Sequence, residues 1–369
     1  MGGVYEDEDL CCIGLAQCCS AWQAPWRELV GAFGSAGAIL RASESSLRAS
    51  GFSGRAIAAL RAIDGWDEPR RIRDRCAEQG IKLAHINSVD YPPLLREIPD
   101  PPLLIYYRGR SPALFEPAVA VVGARRASAY GVAVARELAG QAALAGLCVV
   151  SGLALGIDAA AHRGALDGGQ SIAVMAGGLD SVYPSSNRAL FERMVSDYTV
   201  LGEQPPGAAP LGRNFPRRNR IITGLSLATV VVEADMRSGS RISARLALEQ
   251  GREVLAVPGN VDSRLSRGTN DLIRQGCPPL LQARDLFDSI GLKVAEGSPT
   301  KLPSFEQKSP EIGADGRCIL DLLDAGPSHV DQLIERVAFD DSRVMELLTA
   351  LELAGLARRL PDGSFRRCA

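Results

Sequence analysis

Phe215, Pro216, Arg217, Arg218, Asn219 and Arg220 set three guanidinium groups within four residues, behind an aromatic ring and ahead of the apolar pair Ile221 and Ile222. A guanidinium fork matches phosphate oxygens two at a time. A ring beside it offers a flat face to a nucleobase. The same residues also read as a solvated, Arg-rich helix start, with Phe215 as a ring that merely anchors a loop.

Glycine turns elsewhere suit the same anion. The apolar run 118–122 leads into Gly123, Ala124, Arg125, Arg126, Ala127 and Ser128, with a helix expected near Tyr130. Gly123 lets the backbone turn and approach a ligand, the amides of the following helix start favour an anion, and Arg125 adds a fork. Ser151 and Gly152 open a second small-residue turn, ahead of Asp158 and His162. That acid and imidazole stand four apart on one helix face, either as an acid–base pair or as a helix-start acid and a structural histidine. Ser238, Gly239 and Ser240 form a third anion-ready turn before a helix.

The chemistry on display is phosphate binding without a reaction. No Ser or Cys nucleophile has a plausible His base, and neither a Walker loop nor a G-x-G-x-x-G fingerprint occurs. No catalytic residue and no cofactor is expected. No metal is expected either: among nine cysteines there is no Cys-x-x-Cys, and His85, His162 and His329 all lie far from cysteine in the sequence. The adjacent pairs Cys11/Cys12 and Cys18/Cys19 read as buried reduced thiols on a helix.

The elements that must position these residues follow from patterning. The net charge of -2 means that a polyanion site must be a local patch. No apolar run is long enough to span a membrane, and the start of the chain is acidic rather than basic, so a cytoplasmic protein is expected. Residues 1–90 read as a small helical, sterile-alpha-motif-like domain, with Gly51 and Gly65 as punctuation. The prolines at 92, 93, 101 and 102 suit an extended connection. Over 91–292, apolar runs at 118–122, 147–150, 172–175, 228–232 and 254–257 alternate with helical stretches near 130–145, 157–167, 186–196 and 240–250. That alternation predicts an α/β fold with a doubly wound, mostly parallel sheet, with ligands at the carboxyl ends of its strands. Residues 293–312 read as a linker. Residues 313–369 read as three helices stopped at Gly355, followed by a hairpin turning at Pro361, Asp362 and Gly363, which describes a winged helix. Its third helix, near 341–354, offers one arginine among three acids, a poor match for sequence-specific reading of a major groove.

Taken in order, Val121–Arg125, Ser151–Asp158 with His162, Phe215–Ile222 with Gly224, Leu225 and Ser226, Ser238–Ser240 and Ala256–Gly259 resemble the DprA (Smf) family of DNA-processing proteins over roughly residues 90–290. The resemblance implies an extended Rossmann-like domain that binds single-stranded DNA and homodimerises. It further implies protection of incoming single strands during natural transformation and loading of RecA recombinase. Carried over, the DNA site comprises Gly123, Arg125, Ser151, Gly152, Phe215, Arg217, Arg218, Asn219, Arg220, Ser238 and Gly239. Where the family usually has Ser or Thr after its first motif glycine, this chain has Ala124, so one hydroxyl donor is missing. Two rivals are a phosphoribohydrolase-like enzyme and a protein-interaction scaffold. Against the first, the Pro-Gly-Gly-x-Gly-Thr loop of those enzymes is replaced here by Met236, Arg237, Ser238, Gly239 and Ser240.

Overall fold

A strand that is apolar at every position needs cover on both faces. The segment Ala118–Val122 has it: Val119 and Val121 enter one core, Ala118, Ala120 and Val122 the other. The computed structural model describes residues 5–18, 26–62, 66–112, 117–293, 314–324, 326–337, 339–353, 356–360 and 363–367. They fall in two compact units, Met1–Pro303 and Ser304–Ala369. Most of the expected linker, together with Cys19, Gly65, Gly355 and the Pro361–Asp362 turn, lies outside the described residues.

The first unit opens with α1 (Glu8–Cys18), α2 (Trp26–Phe33), α3 (Ala36–Arg41), α4 (Glu44–Ala49), α5 (Gly54–Arg61) and α6 (Asp67–Glu78). Then come β1 (Lys82–His85), α7 (Pro93–Arg96) and β2 (Leu104–Gly109). The alternating part runs β3 (Ala118–Val122), α8 (Ala129–Leu144), β4 (Cys148–Ser151), α9 (Ile157–Leu166), β5 (Gln170–Met175), α10 (Arg188–Asp197) and β6 (Thr199–Gly202). It continues with α11 (Asn214–Gly224), β7 (Ala228–Val231), α12 (Gly239–Glu249), β8 (Glu253–Ala256), α13 (Arg267–Arg274) and α14 (Ala283–Ser289).

The strands form one sheet in the order β1-β2-β6-β5-β4-β3-β7-β8. The six from β6 to β8 are parallel, while β2 pairs antiparallel with both β6 and β1. The chain winds outward from β3 through β4 and β5 to β6, then returns to lay β7 and β8 on the other side. The reversal between β3 and β7 opens a crevice at their carboxyl ends, where open α/β sheets bind ligands. Alanines at 135, 139, 142, 160, 161 and 165 are all buried in the core under α8 and α9, and account for part of the alanine richness of the chain.

Several expectations needed correction. The helical reading up to residue 90 ends too late, because Lys82–His85 is a strand of the main sheet. Nor does residue 90 separate two cores: Leu29, Ile39 and Ile57 share one hydrophobic cluster with Ile172 and Val174 of the sheet. The proline-rich connection is not extended throughout. Pro93 starts α7, where its missing N–H costs nothing, and residues 104–109 form a strand. Strand β6 is only four residues long and is followed by the polar pair Glu203 and Gln204 and two prolines, so its apolar signal is weak.

In the second unit, α15 (Ala314–Asp324), α16 (Val330–Ile334) and α17 (Asp341–Leu353) close over Ile319, Leu323, Leu333, Val344 and Leu348. An antiparallel pair, β9 (Ala357–Arg359) and β10 (Phe365–Arg367), completes the winged helix. On α17, Arg343 is held by Glu346 at 2.8 Å and Asp315 at 3.5 Å. The arginine of the third helix is therefore already committed within the unit.

Candidate nucleic-acid interface

Three strand ends and one helix meet at the crevice. Gly123 and Arg125 follow β3, Ala154 and Asp158 follow β4, and Ser238, Gly239 and Ser240 follow β7. Helix α11 closes the side with Phe215, Arg218 and Asn219, and the enclosed cavity is about 280 Å³. Gly152 lines a smaller adjoining cavity of about 40 Å³ with Arg125, Leu155, Tyr183 and Phe215.

The loop after β4 is fixed from all sides. Asn187 donates to the carbonyls of Leu153 at 2.9 Å and Ala154 at 3.2 Å. The Asp158 carboxylate accepts from the backbone of Gly152 at 3.2 Å and Ala154 at 3.4 Å. Arg218 donates to the Gly152 carbonyl at 2.7 Å and to the Val174 carbonyl. Within this clamp Leu153 takes a φ of 53° with its side chain fully buried, a strained conformation that the surrounding bonds hold in place. Gly156, at φ 73°, brings this loop against the one after β3. A Cβ there would stand 2.3 Å from the Ala124 carbonyl oxygen.

The expected arginine cluster divides in two, because consecutive residues on a helix point in different directions. Arg218 turns into the crevice floor, almost fully buried. Burial pulls its guanidinium down to about 10, and nearby Asp158 only partly offsets this. Burial likewise raises the Asp158 carboxyl, against the pull of Arg218. Arg220 turns the other way, to Asp100 at 2.9 Å and Glu203 at 2.7 Å. Burial alone would pull Arg220 down, yet the two carboxylates more than compensate and its net shift is upward. Arg217 also meets Glu203, at 3.0 Å. Arg217 and Arg220, expected among the phosphate-binding residues, therefore do not line this cavity; they tie α11 to the strand end at Glu203.

Arg125 is the exposed cation of the site. Its guanidinium carbon lies 4.6 Å from the Phe215 ring centroid, within cation–π range. Among the described residues it forms no salt bridge. Phe215 in turn meets Tyr183 edge-on, with centroids 5.8 Å apart. Half-buried Phe215 is neither a core residue nor a free ring; it supports Arg125. The Tyr183 contact was not anticipated, since Tyr183 precedes a proline and nothing in the sequence marks it as a neighbour of Phe215.

Two further expectations change. The helix start after β3 is not open to an anion from outside. Buried Glu233 occupies it, accepting from the Ser128 amide at 2.9 Å and from the Ser128 hydroxyl. Among the described residues no carboxylate caps the start of α12; Ser238 is its N-cap and the Ser238–Ser240 turn lines the cavity. Ser151 is fully buried and donates its hydroxyl to the Val121 carbonyl at 2.7 Å, joining β4 to β3 rather than facing the cavity. Ala124 is buried as well. Asp158 and His162 are not an acid–base pair, because His162 bonds the Ser171 hydroxyl at 2.8 Å through Nδ1. Burial, reinforced by Arg218, lowers its imidazole to about 3.

Comparison with known proteins agrees with this geometry. The family model described as DNA recombination-mediator protein A matches residues 82–291, and that of the DprA winged helix domain matches residues 303–363. DNA processing protein DprA of Bacillus subtilis (strain 168) is 40% identical over 215 residues, which cover 58% of this chain and 72% of that protein. The X-ray structure of DNA processing protein A from Streptococcus pneumoniae matches with a TM-score of 0.61 at 33% identity, over 76% of this chain and 97% of that one. DNA processing protein A from Helicobacter pylori, whose structure concerns its single-stranded DNA binding mode, matches with a TM-score of 0.52 at 28% identity, over 57% and 95%. With a Rossmann-like sheet, a winged helix and a family match over more than half of its length, the chain belongs to the DNA recombination-mediator protein A family, the DprA or Smf proteins.

Proposed function

We propose that the crevice between β3 and β7 seats phosphates of single-stranded DNA, through Gly123, Arg125, Arg218, Asn219, Ser238 and Gly239. The observation that carries this is the buried Arg218. Among the described residues it forms no salt bridge, whereas Arg220 on the same helix pairs with Asp100 and Glu203. A phosphate in the cavity supplies the missing negative charge, with Arg125 and the start of α12 as further donors. Arg125 and its supporting rings give the site a face on which bases can lie without edge readout, which favours single strands and little sequence preference.

We infer a wider role that family membership supports: holding incoming single strands during natural transformation and loading RecA recombinase on them, as a homodimer in the cytoplasm. The proposed role needs no bond-making step, and Asp158 and His162 are held by structural partners. The test is fluorescence anisotropy of the full chain with single- and double-stranded oligonucleotides at several salt concentrations, with light scattering on the same samples. Preference for single strands, steep weakening with salt and a dimeric mass are expected. Equal affinity for duplex, or affinity indifferent to salt, would refute the crevice as a phosphate site; a monomer at micromolar concentration would refute the dimer alone.

A further inference from the structure

The N-terminal helices carry a second constellation, remote from the crevice residues in sequence. Glu8 and Cys12 stand four apart on α1, so they share a helix face. The fold brings His85, the last residue of β1, against that face. A Glu8 carboxylate oxygen, the Cys12 sulfur and a His85 ring nitrogen all lie within 4.8 Å of one another. Tetrahedral metal–ligand bonds of about 2.0–2.3 Å put ligand atoms about 3.3–3.8 Å apart, so the three atoms need only small side-chain shifts to meet one ion.

Three observations set this cluster apart from a chance meeting of polar groups. His85 Nδ1 is sealed from solvent without a hydrogen-bond partner, one of ten such side-chain atoms among the described residues, and it is the one that adjoins a thiol and a carboxylate. The Glu8 carboxylate is aimed by two backbone donors, Ala36 at 2.6 Å and Gly37 at 3.2 Å, the kind of outer-shell support that orients a ligating carboxylate. The surroundings are acidic: Asp7 and Asp9 flank Glu8, and Asp7 pairs with Arg73 at 2.7 Å.

We propose that Glu8, Cys12 and His85 form a structural binding site for a borderline-soft divalent cation of the zinc type. Thiolate, imidazole and carboxylate together select such an ion over magnesium or calcium. Binding replaces the Cys12 proton, which passes to solvent. The ion joins α1 to β1, and through the bonded Glu8 also to α3, at the antiparallel edge of the sheet. Its role is to fasten the N-terminal helices to that edge, away from the proposed DNA crevice.

Cobalt(II) tests this, because a thiolate ligand gives it an intense charge-transfer absorption. The full chain, freed of metal with a chelator, is titrated with Co²⁺ and then with Zn²⁺. We expect a thiolate–cobalt band that saturates at one ion per chain, is bleached by Zn²⁺, and persists in Cys318→Ser, which removes an exposed thiol. The band should be lost in Cys12→Ser, and affinity should fall at least about tenfold in His85→Gln. Zn²⁺ should raise the melting temperature of the wild type but not of His85→Gln. Absence of the band in the folded wild type overturns the proposal outright. So does a band that survives Cys12→Ser; if that variant does not fold, unchanged affinity in His85→Gln has the same force.

Discussion

Arg125→Ala is the sharpest perturbation of the proposed DNA site. Arg125 is exposed, has no salt bridge among the described residues, and rests on Phe215 at 4.6 Å. Its removal therefore leaves no carboxylate orphaned and opens no cavity, so the folded unit should keep its stability within about 0.5 kcal/mol. Its contact with a phosphate is a charge-assisted hydrogen bond, worth about 1.5–3 kcal/mol when well protected. At this exposed rim the lower end applies, and ~1.5 kcal/mol is about a tenfold loss of affinity. One phosphate contact fewer should also lower the slope of log affinity against log salt by about 0.7 for a single strand. Arg125→Lys separates charge from shape. It keeps the slope, but forfeits the planar fork and much of the stacking on Phe215, about 0.5–1 kcal/mol or a few-fold in affinity. Anisotropy titrations of a labelled oligonucleotide across a salt series read both quantities. Unchanged affinity and slope in Arg125→Ala would refute the placement of the site. A slope that drops equally in Arg125→Lys would show that the effect is not electrostatic.

Arg220→Ala should behave in the opposite way. It removes one of the two arginines on Glu203, leaving Arg217 at 3.0 Å, and the ion pair with Asp100, and should destabilise the first unit by about 3 kcal/mol, the low end for breaking a buried pair because Glu203 keeps Arg217; urea denaturation measures this, and a salt slope reduced as in Arg125→Ala would contradict it. His162, lowered to about 3 when folded, binds its proton more readily unfolded, so its contribution is complete above about pH 6.5 and is lost as pH falls toward 3, at up to about 1.4 kcal/mol per pH unit. Stability curves for wild type and His162→Gln should converge through that window, and parallel curves would count against a buried neutral imidazole. Removal of residues 304–369 should leave single-strand affinity within about twofold of the full chain, since the crevice lies wholly in the first unit; complete loss would assign DNA holding to the winged helix.

The sequence by itself determined the elements whose signals are local. Apolar runs such as 118–122 and 172–175 must be buried on both faces, and their alternation with helical stretches dictates a parallel doubly wound sheet. Glycine and serine turns at strand ends are equally local, so Gly123, Ser238 and Gly239 could be recognised before any contact was known. Strands β1 and β2 escaped because one follows a long helical stretch and the other a proline-rich segment; pairing with β6, distant in the chain, is what makes β2 a strand. Partnership was decided only by tertiary structure. Arg218 and Arg220 are two residues apart and chemically identical, and nothing local tells which meets a carboxylate. Glu203 and Asp100, brought in by the end of β6 and by the connection before β2, commit Arg220, while the carbonyls of Gly152 and Val174 hold Arg218 at the crevice. In the same way the fold gave the α8 start to Glu233 and set His85 beside Cys12. Charge and coordination depend on distance in space, and the chain order of these residues carries no record of it.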